Sequence, residues 1–211
     1  MNKEATIENC EVGPLPTGLC DIHQTNVNIA IYNRDITALT SEVKSLKEQQ
    51  VEIRSSGNVD TILKTLVQAI DPNKFNLILR DIKELLHLFK EVTNASNFRL
   101  LLAKISTTMC PRFHADNNEL RMLCTYHGPG TLWLPDYAVD RDAYLTGKRN
   151  KSIISNESLA QQVETGDVVI LKGSLYPGAT PILHRSPSIL GDDEKRLLLS
   201  IDINESLNLP T

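Results

Sequence analysis

The stretch "GDVVILKG", Gly166 to Gly173, limits the possible architecture more than any other part of the chain. A run that is almost continuously apolar and bracketed by glycines reads as a strand buried on both faces, because a half-exposed strand would alternate apolar with polar. Other strand-length runs surround it: "RFHAD", "LRMLCTY", "TLWL", "TPILHR" and "KRLLLSIDI", with turn chemistry in "YHGPG" and "YPGAT". Residues 109–204 therefore predict a β-sandwich or barrel with helices packed outside it.

Upstream the texture differs. Residues 1–25 are polar and irregular, with the two prolines of "VGPLPTG". "TNVNIAIYNRD" alternates Val27, Ile29 and Ile31 against Asn28, Ala30 and Tyr32, which predicts a short strand. From Ile36 the apolar spacing becomes helical. One helix is expected over Ile36–Ile53, and a second after the capping run Ser56, Gly57 and Asn58. "PNKFNLILRDIKELLHLFKEV" gives a third and "SNFRLLLAKISTTM" a fourth. The expected fold is α+β: a mostly helical segment 1–108 packed on a β-sandwich 109–204, a tail 205–211, and one compact domain overall.

Charge narrows the partners. Acidic and basic residues are mixed along the chain, the net charge is -4, and no basic stripe is present to follow a phosphate backbone, so no nucleic-acid partner is expected. No window approaches eighteen consecutive apolar residues and "MNKEATIENC" lacks an apolar leader, so the expectation is a cytoplasmic protein without a membrane partner. Cys10, Cys20, Cys110 and Cys124 form no C-x-x-C pair, and a disulfide framework is not expected. The amphipathic stretch Ile36–Ile53 offers a surface for a homodimer.

Chemistry concentrates in "RFHAD" and "ILHRSP". On a strand, residues two apart share a face, so His114 and Asp116 point together while Phe113 and Ala115 point away. His184, seventy positions on, adds a second imidazole. Two histidines and one carboxylate from different strands are the donor set that holds an octahedral metal while leaving positions open. Arg196, twelve residues after His184, opens the last strand, where its guanidinium can grip a carboxylate in bidentate fashion. Arg121 and Tyr126 lie on the preceding strand, offset by five and so on opposite faces; Tyr126, with Thr125 or Arg121, is a candidate for holding a cosubstrate. Arg185 rivals Arg196 but should point outward, being adjacent to His184.

The order H-x-D, a glycine turn "GPGT", "GDVVILKG", a distal histidine and a basic residue resembles the double-stranded β-helix of iron and 2-oxoglutarate dependent oxygenases, a cupin-like jelly roll. "CPRFH", "CTYHGPGTLWLP", "GDVVILKG", "HRSP" and "VNIAIYNRD" are similar to the motifs of an uncharacterised bacterial family, domain of unknown function eighteen twenty-six, over most of the chain. The oxygenase resemblance implies Fe(II) held by His114, Asp116 and His184, with 2-oxoglutarate chelating it and reaching Arg196 through its far carboxylate. The implied function is a dioxygenase acting on an unknown small-molecule or protein substrate. A non-enzymatic cupin-like protein binding zinc or another divalent ion in metal homeostasis shares the same ligands.

Each residue also has a structural role open to it. His114 and Asp116 suit a hydrogen-bonded pair, His184 a turn cap and Arg196 an ordinary strand start. His87 on a helix rim and His127 before the "GPG" turn are read as non-ligands. Cys110 and Cys124 are read as buried structural residues; a thiol reaching the metal would favour zinc or thiol-oxidising iron chemistry. Trp133 is read as core or pocket wall.

Overall fold

Alternation and apolar runs resolve into two sheets. A computed structural model describes residues 10–13, 15–148, 150–189, 191 and 195–204; the expected tail 205–211 lies outside them. In chain order the strands are β1 (Cys10–Gly13), β2 (Ile29–Tyr32), β3 (Glu52–Gly57), β4 (Phe98–Ile105) and β5 (Leu120–His127). β6 (Leu132–Leu134), β7 (Gln161–Gln162), β8 (Val168–Lys172), β9 (Leu183–Arg185) and β10 (Arg196–Ile203) follow. The helices are α1 (Thr40–Lys47), α2 (Val59–Ala69), α3 (Asn76–Thr93), α4 (Arg141–Leu145) and α5 (Asn150–Ile153), with short 3-10 turns between elements.

The larger sheet has the order β1-β2-β8-β5-β10-β4-β3 and the smaller β7-β6-β9; β1 and β2 run parallel and the other pairs antiparallel. All five residues of β8 are buried, and the strand lies between β2 and β5. One face of the large sheet carries Leu100, Leu102, Met122, Ile170 and Leu199 into a core shared with α2 and α3. The other carries Ala103, Leu123, Val169, Leu171 and Leu198 into a second core with Trp133 and Ile182. That second core borders a cavity lined by residues of β5, β10, β4 and β3.

Two helices form where the spacing places them. Asn58 caps α2 by accepting from the Thr61 amide at 2.9 Å. α3 buries Ile78, Ile82, Leu85, Leu86, Phe89 and Val92, a stripe of period near 3.6, and ends at Asn94 in the left-handed conformation (φ 52°). His87 on the same helix is exposed.

Elsewhere the helical expectation is corrected. The helix expected over Ile36–Ile53 stops at Lys47, and Ile53 lies in the edge strand β3. "FRLLLAKI" is not a fourth helix but β4. It is apolar on both faces, so its periodicity cannot separate strand from buried helix, and the eight-residue register with β10 decides the matter. The large sheet thus crosses residue 108, taking β1 to β4 from one side and β5, β8 and β10 from the other. The apolar side chains Leu39, Val43 and Leu46, expected to offer a dimer surface, are buried in the chain's own core.

A polar cluster locks α3 to the sheet. Arg34, just beyond β2, donates from both terminal nitrogens to Asp81 (2.5 and 3.0 Å) and from Nε to the Gly166 carbonyl (2.7 Å). The Tyr126 hydroxyl donates to the same carboxylate at 2.5 Å.

Candidate metal centre

His114 and His184 are joined through their backbones before their side chains meet. Each amide donates to the other's carbonyl at 3.0 Å, adding His114 to the edge of the small sheet beside β9. "RFHAD" is therefore a single bridge rather than the strand expected, but its alternation survives. Phe113 and Ala115 pack into a third apolar cluster with Leu134 and Leu183, leaving His114 and Asp116 on the opposite side. The Asp116 carbonyl accepts from the Ser174 amide at 2.8 Å, which fixes the backbone there.

One ligand atom from each of His114, Asp116 and His184 lies within 4.8 Å of the other two. His114 Nε2 is 3.6 Å from Asp116 Oδ1, and His184 Nε2 is 3.2 Å from Oδ2. The rings stand 4.7 Å apart, centroid to centroid. His114 Nδ1 is 3.0 Å from the Arg112 carbonyl; donating there leaves the Nε2 lone pair facing the carboxylate, the tautomer a metal ligand needs. Asp116 Oδ2, beyond its 3.2 Å approach to His184 Nε2, and His184 Nδ1 are buried without a well-aligned hydrogen bond among the described residues. Two imidazoles and a carboxylate whose buried oxygen faces the His184 Nε2 fit a divalent transition metal. Burial alone pushes a carboxyl up, yet His114, His184 and Arg121 outweigh it and hold Asp116 well below the usual carboxylate range. The Asp116 carboxylate in turn raises His114 above the ordinary imidazole value, against the effect of burial.

Arg121 does not stand free for a cosubstrate. It bridges Asp116 (2.7 Å) and Asp202 (2.6 and 3.0 Å), with Asn118 donating to Asp202 at 2.9 Å. Arg121 therefore orients the carboxylate that would bind metal. Asp202 and Asn118 went unnoticed in the sequence, although the two-residue period of β10 places Arg196, Leu198, Ser200 and Asp202 on one face. Tyr126 is a correction to the expected cosubstrate contact. Its five-residue offset from Arg121 turns it to the helical face, where it bonds Asp81. Arg185 also points away, to Glu157 (3.0 Å) and over the Phe113 ring.

Arg196 is 1% exposed, yet it lines the same cavity of about 610 Å³ as His114 and His184. One Nη donates to Thr125 Oγ1 at 3.0 Å and lies 3.4 Å from Thr131 Oγ1, while Nε is buried without a partner. No carboxylate pairs with it among the described residues. Burial lowers its pKa to about 10, which still leaves it charged at neutral pH. The "GPG" turn brings Thr131 there: Gly128 has φ +81°, and any Cβ at Gly130 would strike the Val163 carbonyl at 1.8 Å.

The cysteines divide. Cys110 is exposed and lines the cavity, contrary to the buried role expected of it, whereas Cys124 is buried on the helical face beside Arg34. Burial pushes the Cys124 thiol up to about 12. Native protein treated with iodoacetamide is expected to be alkylated at Cys20 and Cys110 while Cys124 stays unmodified until unfolding, as read by peptide mass spectrometry. Alkylation of Cys124 as fast as Cys110 would contradict this. Trp133 is buried in the core between the sheets and His127 is half-buried, neither belonging to the triad.

Fold and site together define a mixed helix and antiparallel-sheet protein with a histidine, aspartate, histidine group suited to a metal. The chain belongs to the family described as Protein of unknown function (DUF1826), which matches residues 14–202. Similar solved structures include a Pseudomonas putida prolyl-4-hydroxylase, 11% identical, covering 90% of this chain and 97% of that one with a TM-score of 0.45. Another is a full-length Neurospora crassa protein in complex with alpha-KG, 10% identical over 97% and 86% of the two chains, TM-score 0.45. A third is the Fe(II)/(alpha)ketoglutarate-dependent dioxygenase TqaL, 14% identical over 79% and 74%, TM-score 0.43. No curated protein sequence matches the chain. Among the described residues no helix is long and apolar enough to cross a membrane.

Proposed function

We propose that this chain is a non-haem Fe(II) and 2-oxoglutarate dependent oxygenase built on a double-stranded β-helix. The observation that carries the reading is Arg196. A buried guanidinium without a counter-charge is costly, and a purely structural arginine is expected to have a carboxylate beside it, as Arg34 has Asp81. Among the described residues Arg196 meets only threonine hydroxyls, and it lines the same cavity as Thr131, His114 and His184. That arrangement suits an anion arriving from outside.

2-Oxoglutarate meets both ends of the cavity. Its keto-acid end suits a metal on His114, Asp116 and His184, and its far carboxylate suits the fork of Arg196. Thr131, whose Oγ1 lies 3.4 Å from the Arg196 guanidinium, lines the cavity and has a hydroxyl proton to offer an incoming carboxylate. Arg121 holds Asp116 in place, and Leu123 and Leu198 line the cavity with apolar surface. Fe(II) when bound supplies the redox chemistry by which a substrate C–H, O2 and 2-oxoglutarate become C–OH, succinate and CO2.

Calorimetry on anaerobic Fe(II)-loaded protein tests this. Wild type is expected to bind 2-oxoglutarate. Arg196→Met is expected to bind it at least about tenfold more weakly through loss of charge-assisted bonds. Its Tm should equal or exceed that of wild type, because a lone buried charge is removed. Metal uptake by wild type with no 2-oxoglutarate binding would overturn the oxygenase and leave a divalent-metal-binding protein.

A further inference from the structure

The cavity extends beyond the triad, and its outer floor has a charge that the metal site does not use. Strands in register line up their same-face side chains in rows. One row runs Ser56, Arg99, Asp202 and Arg121 across β3, β4, β10 and β5, and the Arg121 end touches Asp116. The next row runs Arg54, Leu101, Ser200 and Leu123. All eight residues line the cavity. With strands about 4.8 Å apart, Arg99 sits roughly 10 Å from Arg121 along the floor.

Among the described residues, that lining contains four arginines and a single carboxylate, Asp202, in a chain whose net charge is -4. Asp202 is held by Arg121 and Asn118. Arg196 is matched by the far carboxylate of 2-oxoglutarate on the reading above. Among the described residues Arg54 pairs with Glu52, two positions along the same face of β3, at 3.0 Å, but the two side chains are 68% and 64% exposed and the pair is open to solvent exchange. Arg99 has no carboxylate within ion-pair distance among the described residues. Arg54 and Arg99 are diagonal neighbours on adjacent strands, close enough for one anionic group to touch both. Between them and the metal ligands the floor carries Leu101, Ser200 and Leu123 in one row and Asp202, held by Arg121, in the other, with Leu198 alongside.

We propose that the substrate is an organic anion, a carboxylate or phosphate monoester on an apolar body, gripped by Arg99 and Arg54 so that the body extends across the floor toward the metal. The leucines take the body and the arginines set how far it enters. This rests on the oxygenase reading for what happens at the inner end; the anion grip itself is a separate property of β3 and β4.

Hexyl phosphate, heptanoate and hexan-1-ol are the probes, titrated calorimetrically into protein loaded with Zn(II) in place of Fe(II) and with 2-oxoglutarate. At least one of the two anions is expected to bind about tenfold or more tightly than the alcohol, and the stronger of the two identifies the acid group. Arg54→Gln/Arg99→Gln, both exposed positions, should remove that margin while Tm and 2-oxoglutarate affinity stay at wild-type values. Equal binding of anions and alcohol, or an anion margin that survives the double substitution, overturns the proposal. So does loss of 2-oxoglutarate affinity in the double variant, which would assign these arginines to the cosubstrate. Absence of 2-oxoglutarate binding in wild type overturns the oxygenase reading instead, and the probe titration without it still reads the anion grip.

Discussion

His184→Ala is expected to weaken Fe(II) or Zn(II) binding by at least about a hundredfold, because losing an outer partner of a ligand already costs 10- to 100-fold and His184 is a ligand itself. The substitution is clean. The paired backbone hydrogen bonds to His114 do not involve the ring, and the ring already borders a cavity, so the sheet edge should persist. Asp116→Ala should be as damaging to metal binding but less selective, since it also removes one of the two carboxylates that hold Arg121. The measurement is metal content after purification without chelators, followed by competitive titration. A His114→Ala/His184→Ala protein that retains metal within about threefold of wild type would remove the triad from consideration.

Asp81→Ala should lower stability by about 3–5 kcal/mol, the range for breaking a buried ion pair by removing one partner. Arg34 and Asp81 are 10% and 13% exposed in their side chains, so solvent does little to screen the pair. Without the carboxylate, the Arg34 guanidinium keeps the Gly166 carbonyl, the Cys124 sulfur and the Tyr126 ring but no counter-charge among the described residues, and the Tyr126 hydroxyl loses its acceptor. In a chain of this length each kcal/mol moves Tm by roughly 2–4 °C, so a fall of about 10 °C is the expected reading. Arg34→Met/Asp81→Leu should recover most of the loss, since no lone charge remains. A Tm within about 2 °C of wild type for Asp81→Ala would mean that the cluster contributes nothing net.

How far the site was legible depended on the range of each signal. The H-x-D alternation placed His114 and Asp116 on one side even though "RFHAD" forms only one bridge, because Phe113 and Ala115 still seek the apolar cluster opposite. The same parity rule separated Arg121 from Tyr126 and turned Arg185 away from His184. It could not say what each would meet. Asp81, the partner of Tyr126, lies forty-five residues upstream, and Asp202, the partner of Arg121, eighty-one residues downstream.

By itself the sequence determined the buried strand β8, the cap and stripe of α2 and α3, and the residue types able to ligate a metal, since each is written in neighbours within a few positions. Only the tertiary structure decided that "FRLLLAKI" is a strand, that Leu39, Val43 and Leu46 are used inside the chain, and that Arg121 has two carboxylates while Arg196 has none among the described residues. A run apolar on both faces satisfies strand and buried helix equally well. The choice falls to the cross-strand register, and that same register brings together charges far apart in sequence or keeps them apart.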